Sequence, residues 1–358
     1  MPRRLATSAF LCLFVAALLV AGCGGSDSST SSGGVATSKS APPKSDFPKT
    51  EGRTLGEIVK AADSHSELVV SPAALAFYKG ENRYPFGVFH ADRSQVDNAK
   101  VALYVARVPH VEPGGDEAAE NGKKKGAVAR ARTEALEQPA MGPYPAAIES
   151  LATKPAYRAQ TTTSDPDAAT IVYTTDVDFP SNGEWRVTAL IKEGNETLAT
   201  LLPSASVGEF KGVPKVGEKA PKIHTPTPAD VGGDLSKITT RIPPDTQNRV
   251  DYADVLGKEP IFLLFATPQF CQSRVCGPVV DVAEQVKDQF DDKAAFIHME
   301  IYNDNDPSKG VRPQVRAFHL PSEPWLFAIN RKGVVQAVVE GAFGVERMTK
   351  IVEKVTGE

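Results

Sequence analysis

Hydrophobic positions along the chain repeat with two periods. Between about residues 67 and 210 the period is two. Tyr84, Phe86 and Val88 alternate with Arg83, Pro85 and Gly87, and Val101, Leu103 and Val105 alternate with smaller residues. Trp185, Val187, Ala189 and Ile191 alternate with Arg186, Thr188 and Lys192. Alternation of this kind marks half-buried strands. Gly194-Asn195 offers a turn between strands at 185–193 and 197–202. Several short strands and no strong long helix predict an all-β sandwich. Ahead of them, Thr54-Leu55-Gly56-Glu57 spells a capping box. Leu55, Ile58, Val59 and Ala62 follow at helical spacing, which predicts a short amphipathic helix.

Beyond residue 213 the pattern changes. Ile261-Phe262-Leu263-Leu264-Phe265 is continuously apolar, as a strand buried on both faces requires. Val279, Val282, Ala283, Val286 and Phe290 then repeat at helical spacing, so Cys271 and Cys276 fall at a strand-to-helix junction. An apolar strand over 294–301, a hairpin turning at Arg331-Lys332-Gly333 and a closing helix over 345–355 complete an α/β region. The expected organisation is therefore 1–22 as an export signal and 23–52 as a flexible Gly, Ser and Pro-rich tether. A sandwich domain over 53–212 and an α/β domain over 213–358 follow. Residues 112–138, rich in Gly, Ala, Lys and Glu, are expected to be a mobile loop insertion within the sandwich.

Composition narrows the functions. The chain has 358 residues and a net charge of −4, which argues against a nucleic-acid partner. Arg3 and Arg4 precede an apolar run over 10–20, too short to span a bilayer but of signal-peptide size. Of four cysteines, Cys12 lies in that run and would be lost on cleavage. Cys271 and Cys276 can pair, and an oxidising compartment would favour a disulfide or dithiol there.

Three resemblances sharpen these expectations. Leu19-Val20-Ala21-Gly22-Cys23 resembles the lipobox of bacterial lipoproteins. That resemblance implies cleavage before Cys23, lipid on its sulfur and a place on the extracytoplasmic side of the cell membrane. Residues 179–192, with Asn-Gly-Glu-Trp-Arg-Val, are similar to the strand pair of extracytoplasmic immunoglobulin-like sandwich modules. Val216-Gly217-Glu218-Lys219-Ala220-Pro221 resembles the opening of the TlpA and peroxiredoxin-like branches of the thioredoxin superfamily. The strand–Cys–helix junction and Pro324, nine residues before Gly333, extend that likeness over about 214–358. It implies a thioredoxin-like fold with Cys271 as attacking sulfur, Cys276 as resolving sulfur and Pro324, with Pro321 as the competing candidate, as the cis-proline beside them. The chain departs from the pattern in four places. Four residues separate the cysteines instead of two, and Phe270 stands where Trp precedes the first Cys. Phe265 replaces a buried Asp, and Glu323 precedes the proline.

Three readings of the pair stay open on the sequence. One is thiol–disulfide exchange on exported proteins, and one is a structural disulfide in a non-catalytic binding module. The third is a copper-handling module resembling the Sco-type chaperones, with His298 or His319 as the added ligand. No cofactor is demanded by any motif, and the expected partners are the membrane, through Cys23, and exported protein thiols.

Overall fold

The alternation between residues 67 and 210 becomes strands, but the central ones are buried on both faces. The structure is a computed structural model that describes residues 37–110, 117–271 and 273–357, with only the backbone described for 117–125. The expected export segment 1–22, Cys12, Cys23 and the first part of the expected tether lie outside the described residues.

Helix α1 (Leu55–Lys60) begins on the expected capping box. The Glu57 N–H donates to Thr54 Oγ1 at 3.2 Å, and the Glu57 carboxylate accepts from the Thr54 N–H at 2.8 Å. Strands β1 (Ser64–His65), β2 (Val69–Pro72), β3 (Gly80–Phe89) and β4 (Lys100–Arg107) follow, then helix α2 (Glu117–Glu134). Next come β5 (Met141–Pro145), β6 (Ala147–Ser150), the short helix α3 (Gln160–Thr163), β7 (Ile171–Phe179), β8 (Gly183–Glu193), β9 (Glu196–Leu201) and β10 (Ala205–Val207). One sheet runs β1-β9-β8-β4-β5, with β10 also on β8, and a second runs β2-β3-β7-β6. Side chains from both sheets, among them Phe86, Leu103, Tyr173 and Trp185, form one hydrophobic core. The β8–β9 hairpin pairs Glu193 with Glu196, so Gly194 and Asn195 make the two-residue turn. Gly194 has φ +60°, a conformation such turns require and glycine adopts without steric cost.

Two expectations are corrected here. The tether is not free throughout, because its last part is docked. Lys39 bridges to Ile148, and Phe47 is buried with Leu55, Ile58, Ala102 and Tyr104. One aromatic ring amid polar residues is enough to hold the segment, and together with α1 it covers the outer face of β4. That is why Ala102, Tyr104 and Ala106 are buried as fully as Val101, Leu103 and Val105. The expected loop insertion over 112–138 is instead largely the helix α2, with 111–116 outside the described residues. Few large apolar groups mark this stretch, but Ala, Glu, Lys and Arg are good helix formers and outweigh Gly122 and Gly126.

The remaining chain holds α4 (Tyr252–Val255), β11 (Ile261–Phe265), α5 (Cys276–Phe290), β12 (Ala295–Met299), α6 (Pro313–Ala317), β13 (Trp325–Ile329), β14 (Val335–Glu340) and α7 (Val345–Thr356). The sheet order is β12-β11-β13-β14, with β11 parallel to β12 and antiparallel to β13. Phe262 and Leu264 face α5 and α7. Ile261, Leu263 and Phe265 face the opposite cluster, with Tyr252, Val315 and Phe318. The unbroken apolar run of β11 follows from this double cover.

The described residues belong to one compact unit, and its two halves share side chains. Residues 151–169 leave the β-rich half, cross α5 as a strap and return to β7. Leu151 and Ala169 are buried in the same core as Val279 and Phe343. The Lys154 N–H donates to Gln285 at 2.7 Å, and the Tyr157 hydroxyl to Asp288 at 2.6 Å. At the other end of the contact, one Glu340 carboxylate accepts from the Leu75 N–H (2.7 Å), the Ala76 N–H (3.0 Å) and the Ser322 hydroxyl (2.5 Å). The backbones come so close that a Cβ on Gly341, which has φ +79°, would collide with the Ala73 carbonyl. Among the described residues no helix is long and apolar enough to cross a membrane.

Candidate functional site: a disulfide at a helix start

The apolar run of β11 ends at Phe265, and the chain reaches α5 ten residues later through the loop that carries Cys271. Cys271 and Cys276 are joined as a disulfide, with Cα atoms 5.9 Å apart. The two sulfurs differ in access: Cys271 is half-buried and Cys276 is fully buried. The Cys276 N–H points at Cys271 Sγ, 3.3 Å away, and the Ser273 hydroxyl lies 3.2 Å from the same sulfur. Helix α5 starts at Cys276, so Pro278 is its third residue. The first four N–H groups of a helix have no partner within it, so the missing donor costs nothing there. An N–H aimed at Sγ from a helix N-terminus favours the thiolate form of Cys271 over the thiol.

The loop is held by the β-rich half. Arg274, inside the disulfide ring, has φ +61°, which costs a non-glycine residue about 1 kcal/mol. Three contacts hold it there. Its carbonyl accepts from the Ala169 N–H at 3.1 Å, its guanidinium pairs with Asp167 at 3.5 Å, and it lies over the Phe89 ring at 5.8 Å. Pro324 follows a cis peptide bond with Glu323 and opens β13, its carbonyl accepting from the Gly341 N–H at 2.8 Å.

Beneath the loop lies a buried polar network that pattern reading missed. His298 Nδ1 is 2.8 Å from Asp245, and Nε2 is 3.1 Å from the Ala266 carbonyl. Both partners only accept, so both ring nitrogens carry protons and His298 is an imidazolium. Burial alone would lower its pKa, but Asp245, Glu300 and the Ala266 carbonyl together push it up to about 9. Burial likewise opposes the Asp245 charge, and His298, Gln247 and Arg241 more than offset it, leaving that carboxyl below its usual range. Glu300 accepts from the Thr240 N–H and hydroxyl, both at 2.9 Å, and Thr240 Oγ1 accepts from the Gln269 N–H at 3.2 Å. The chain Glu300–Thr240–Gln269 thus ends two residues from Cys271. Arg241 pairs with Asp281 of α5 at 2.9 Å, and its guanidinium donates to Tyr157 of the strap at 2.7 Å. Asp245, Thr240 and Arg241 all come from the Pro-rich connector before β11, a stretch with no periodicity to single them out.

With both nitrogens engaged, His298 has no lone pair to offer a metal, and His319 is exposed. Among the described residues no three His, Cys, Asp or Glu side chains group so as to hold a metal ion.

A cleft of about 460 Å³ opens beside the loop. Ser273 and Glu323 line it from the C-terminal half, and the segment from Ser71 to Leu75 lines it from the β-rich half. No family model matches the chain, and no curated protein matches it.

Proposed function

We propose that the chain is a lipid-anchored, extracytoplasmic thiol–disulfide exchange protein. In this reading residues 213–358 are a thioredoxin-like domain, residues 53–212 are an immunoglobulin-like sandwich, and Cys23 carries the lipid. The observation that carries the reading is the asymmetry of the pair. One sulfur is reachable and receives an N–H at the start of a 15-residue helix, and the other is sealed in the core. Access and thiolate stabilisation on the same sulfur are what exchange requires.

The chemistry balances as follows. A substrate thiolate attacks Cys271 Sγ, a mixed disulfide forms, and the Cys271–Cys276 bond breaks. Cys276 leaves as a thiolate and takes up a proton. A second substrate thiolate attacks the substrate sulfur of the mixed disulfide, which releases Cys271. Two electrons pass from the substrate dithiol to the protein pair, and the reverse sequence reduces a substrate disulfide.

A structural disulfide is the second reading, favoured by the grip of the β-rich half on Arg274. The reduction potential separates the two, measured by equilibrating the protein with glutathione buffers and counting thiols by mass spectrometry. A value between about −270 and −120 mV supports exchange, and one below about −300 mV makes the pair structural. Cys276→Ser should accumulate mixed disulfides on Cys271, and Cys271→Ser should not.

A further inference from the structure

The cleft beside the disulfide has an unusual charge arrangement. Of its lining residues, Glu323 alone has a carboxyl or basic side chain. No hydrogen bond or ion pair engages its carboxylate among the described residues. Arg274, next in sequence to Ser273, is paired with Asp167 at 3.5 Å. Burial, and then the charge of Glu300, raise the Glu323 pKa, so this carboxylate is held where its charge is poorly compensated. The cleft comes within one side chain of the sulfur: Ser273 lines it, and the Ser273 hydroxyl is 3.2 Å from Cys271 Sγ. The opposite wall is apolar, with Pro72, Ala73, Ala74 and the half-exposed Leu75.

We propose that this cleft is the substrate subsite, and that it selects cysteine-bearing peptide segments with a basic residue next to the cysteine. This rests on the exchange reading above. A Lys or Arg beside the substrate cysteine supplies the charge that Glu323 lacks and favours the substrate's own thiolate. An acidic neighbour would meet Glu323 and Glu300 with like charge. The β-rich half is then part of the recognition site, because Ser71 to Leu75 close the cleft over the peptide's apolar side chains.

The test uses the full chain, oxidised, with two peptides that differ only in carrying Lys or Glu on both sides of one Cys. Exchange rates are measured for each, and each is divided by that peptide's rate with the uncharged disulfide of 2-mercaptoethanol, which removes the peptide's intrinsic reactivity. The normalised rate should be about fivefold higher for the Lys peptide, the scale of one close charge pair in water. That preference should fall to about one in Glu323→Gln and shrink with added salt. Equal normalised rates in the wild type, or an undiminished preference in Glu323→Gln, would overturn the inference and leave exchange itself standing. No exchange with either peptide would remove the exchange reading and this inference with it.

Discussion

Replacing Asp245 by Asn changes one atom in the buried network and should produce a stability loss that depends on pH. The amide keeps an oxygen for the Gln247 N–H, and its NH₂ can donate to Nδ1 of a neutral His298; the Thr239 hydroxyl, which donates to the same carboxylate oxygen at 3.1 Å, loses its acceptor at a cost that does not vary with pH. The pH-dependent loss is that of the imidazolium. In the native protein the His298 pKa stands at about 9 against an ordinary 6.5. Each pH unit of that displacement corresponds to about 1.4 kcal/mol, so the charged form contributes about 3 kcal/mol. A raised pKa contributes fully below the unfolded value and is lost as pH rises through the folded one. The advantage of wild type over Asp245→Asn should therefore be largest near pH 6, and about 3 kcal/mol smaller by pH 9.5. In melting temperature that change is about 4–5 °C. Thermal and urea melts followed by circular dichroism at both pH values, with the disulfide intact, measure it. Parallel stability curves for the two proteins across this range would refute the assignment of His298 as a buried cation.

Three further outcomes are expected. Phe47→Ala should cost about 3–5 kcal/mol and open residues 37–52 to proteolysis, since this ring alone anchors the segment in a core. Glu340→Ala strands three donors between the halves and should lower stability by about 2–3 kcal/mol, while Glu340→Gln, which keeps an acceptor, should cost less; chemical denaturation compares them. Cys23→Ala should shift the protein from the detergent phase to the aqueous phase on partitioning, and retention in detergent would contradict lipid attachment there.

Local features were legible in the sequence because their causes are local. The capping box at Thr54 and Glu57, the Gly194-Asn195 turn and the run from Ile261 to Phe265 each depend on a few adjacent residues. The site was legible only along its backbone. Cys271 and Cys276 announced a junction, but the residues beneath it come from far off. His298 meets Asp245 across 53 positions, and Glu300 meets Thr240 across 60. Neither acid stands in a pattern, and the buried Asp expected before the Cys is Phe265 here. Phe47 and the strap fail for a related reason: single apolar residues in polar surroundings carry no period, and only the surface that receives them reveals their role. Helix α2 was hidden by composition, which resembles a solvated loop until helix propensity is weighed.

The strap at 151–169 sets an order in time. A chain is made from its N-terminus, so the β-rich half can close before α5 exists, leaving Leu151, Tyr157, Ala159 and Ala169 uncovered. Asp281, which will accept from the Ala159 N–H, arrives 122 positions later. Helix α5 then settles on a surface already in place, and the loop it drags with it is shaped by residues laid down earlier. Arg274 takes its left-handed turn where Asp167 and Ala169 receive it, beside the two joined sulfurs. The older half of the nascent chain thus acts as a jig for the cysteine pair. An oxidant has only to join atoms that the rest of the molecule has brought together.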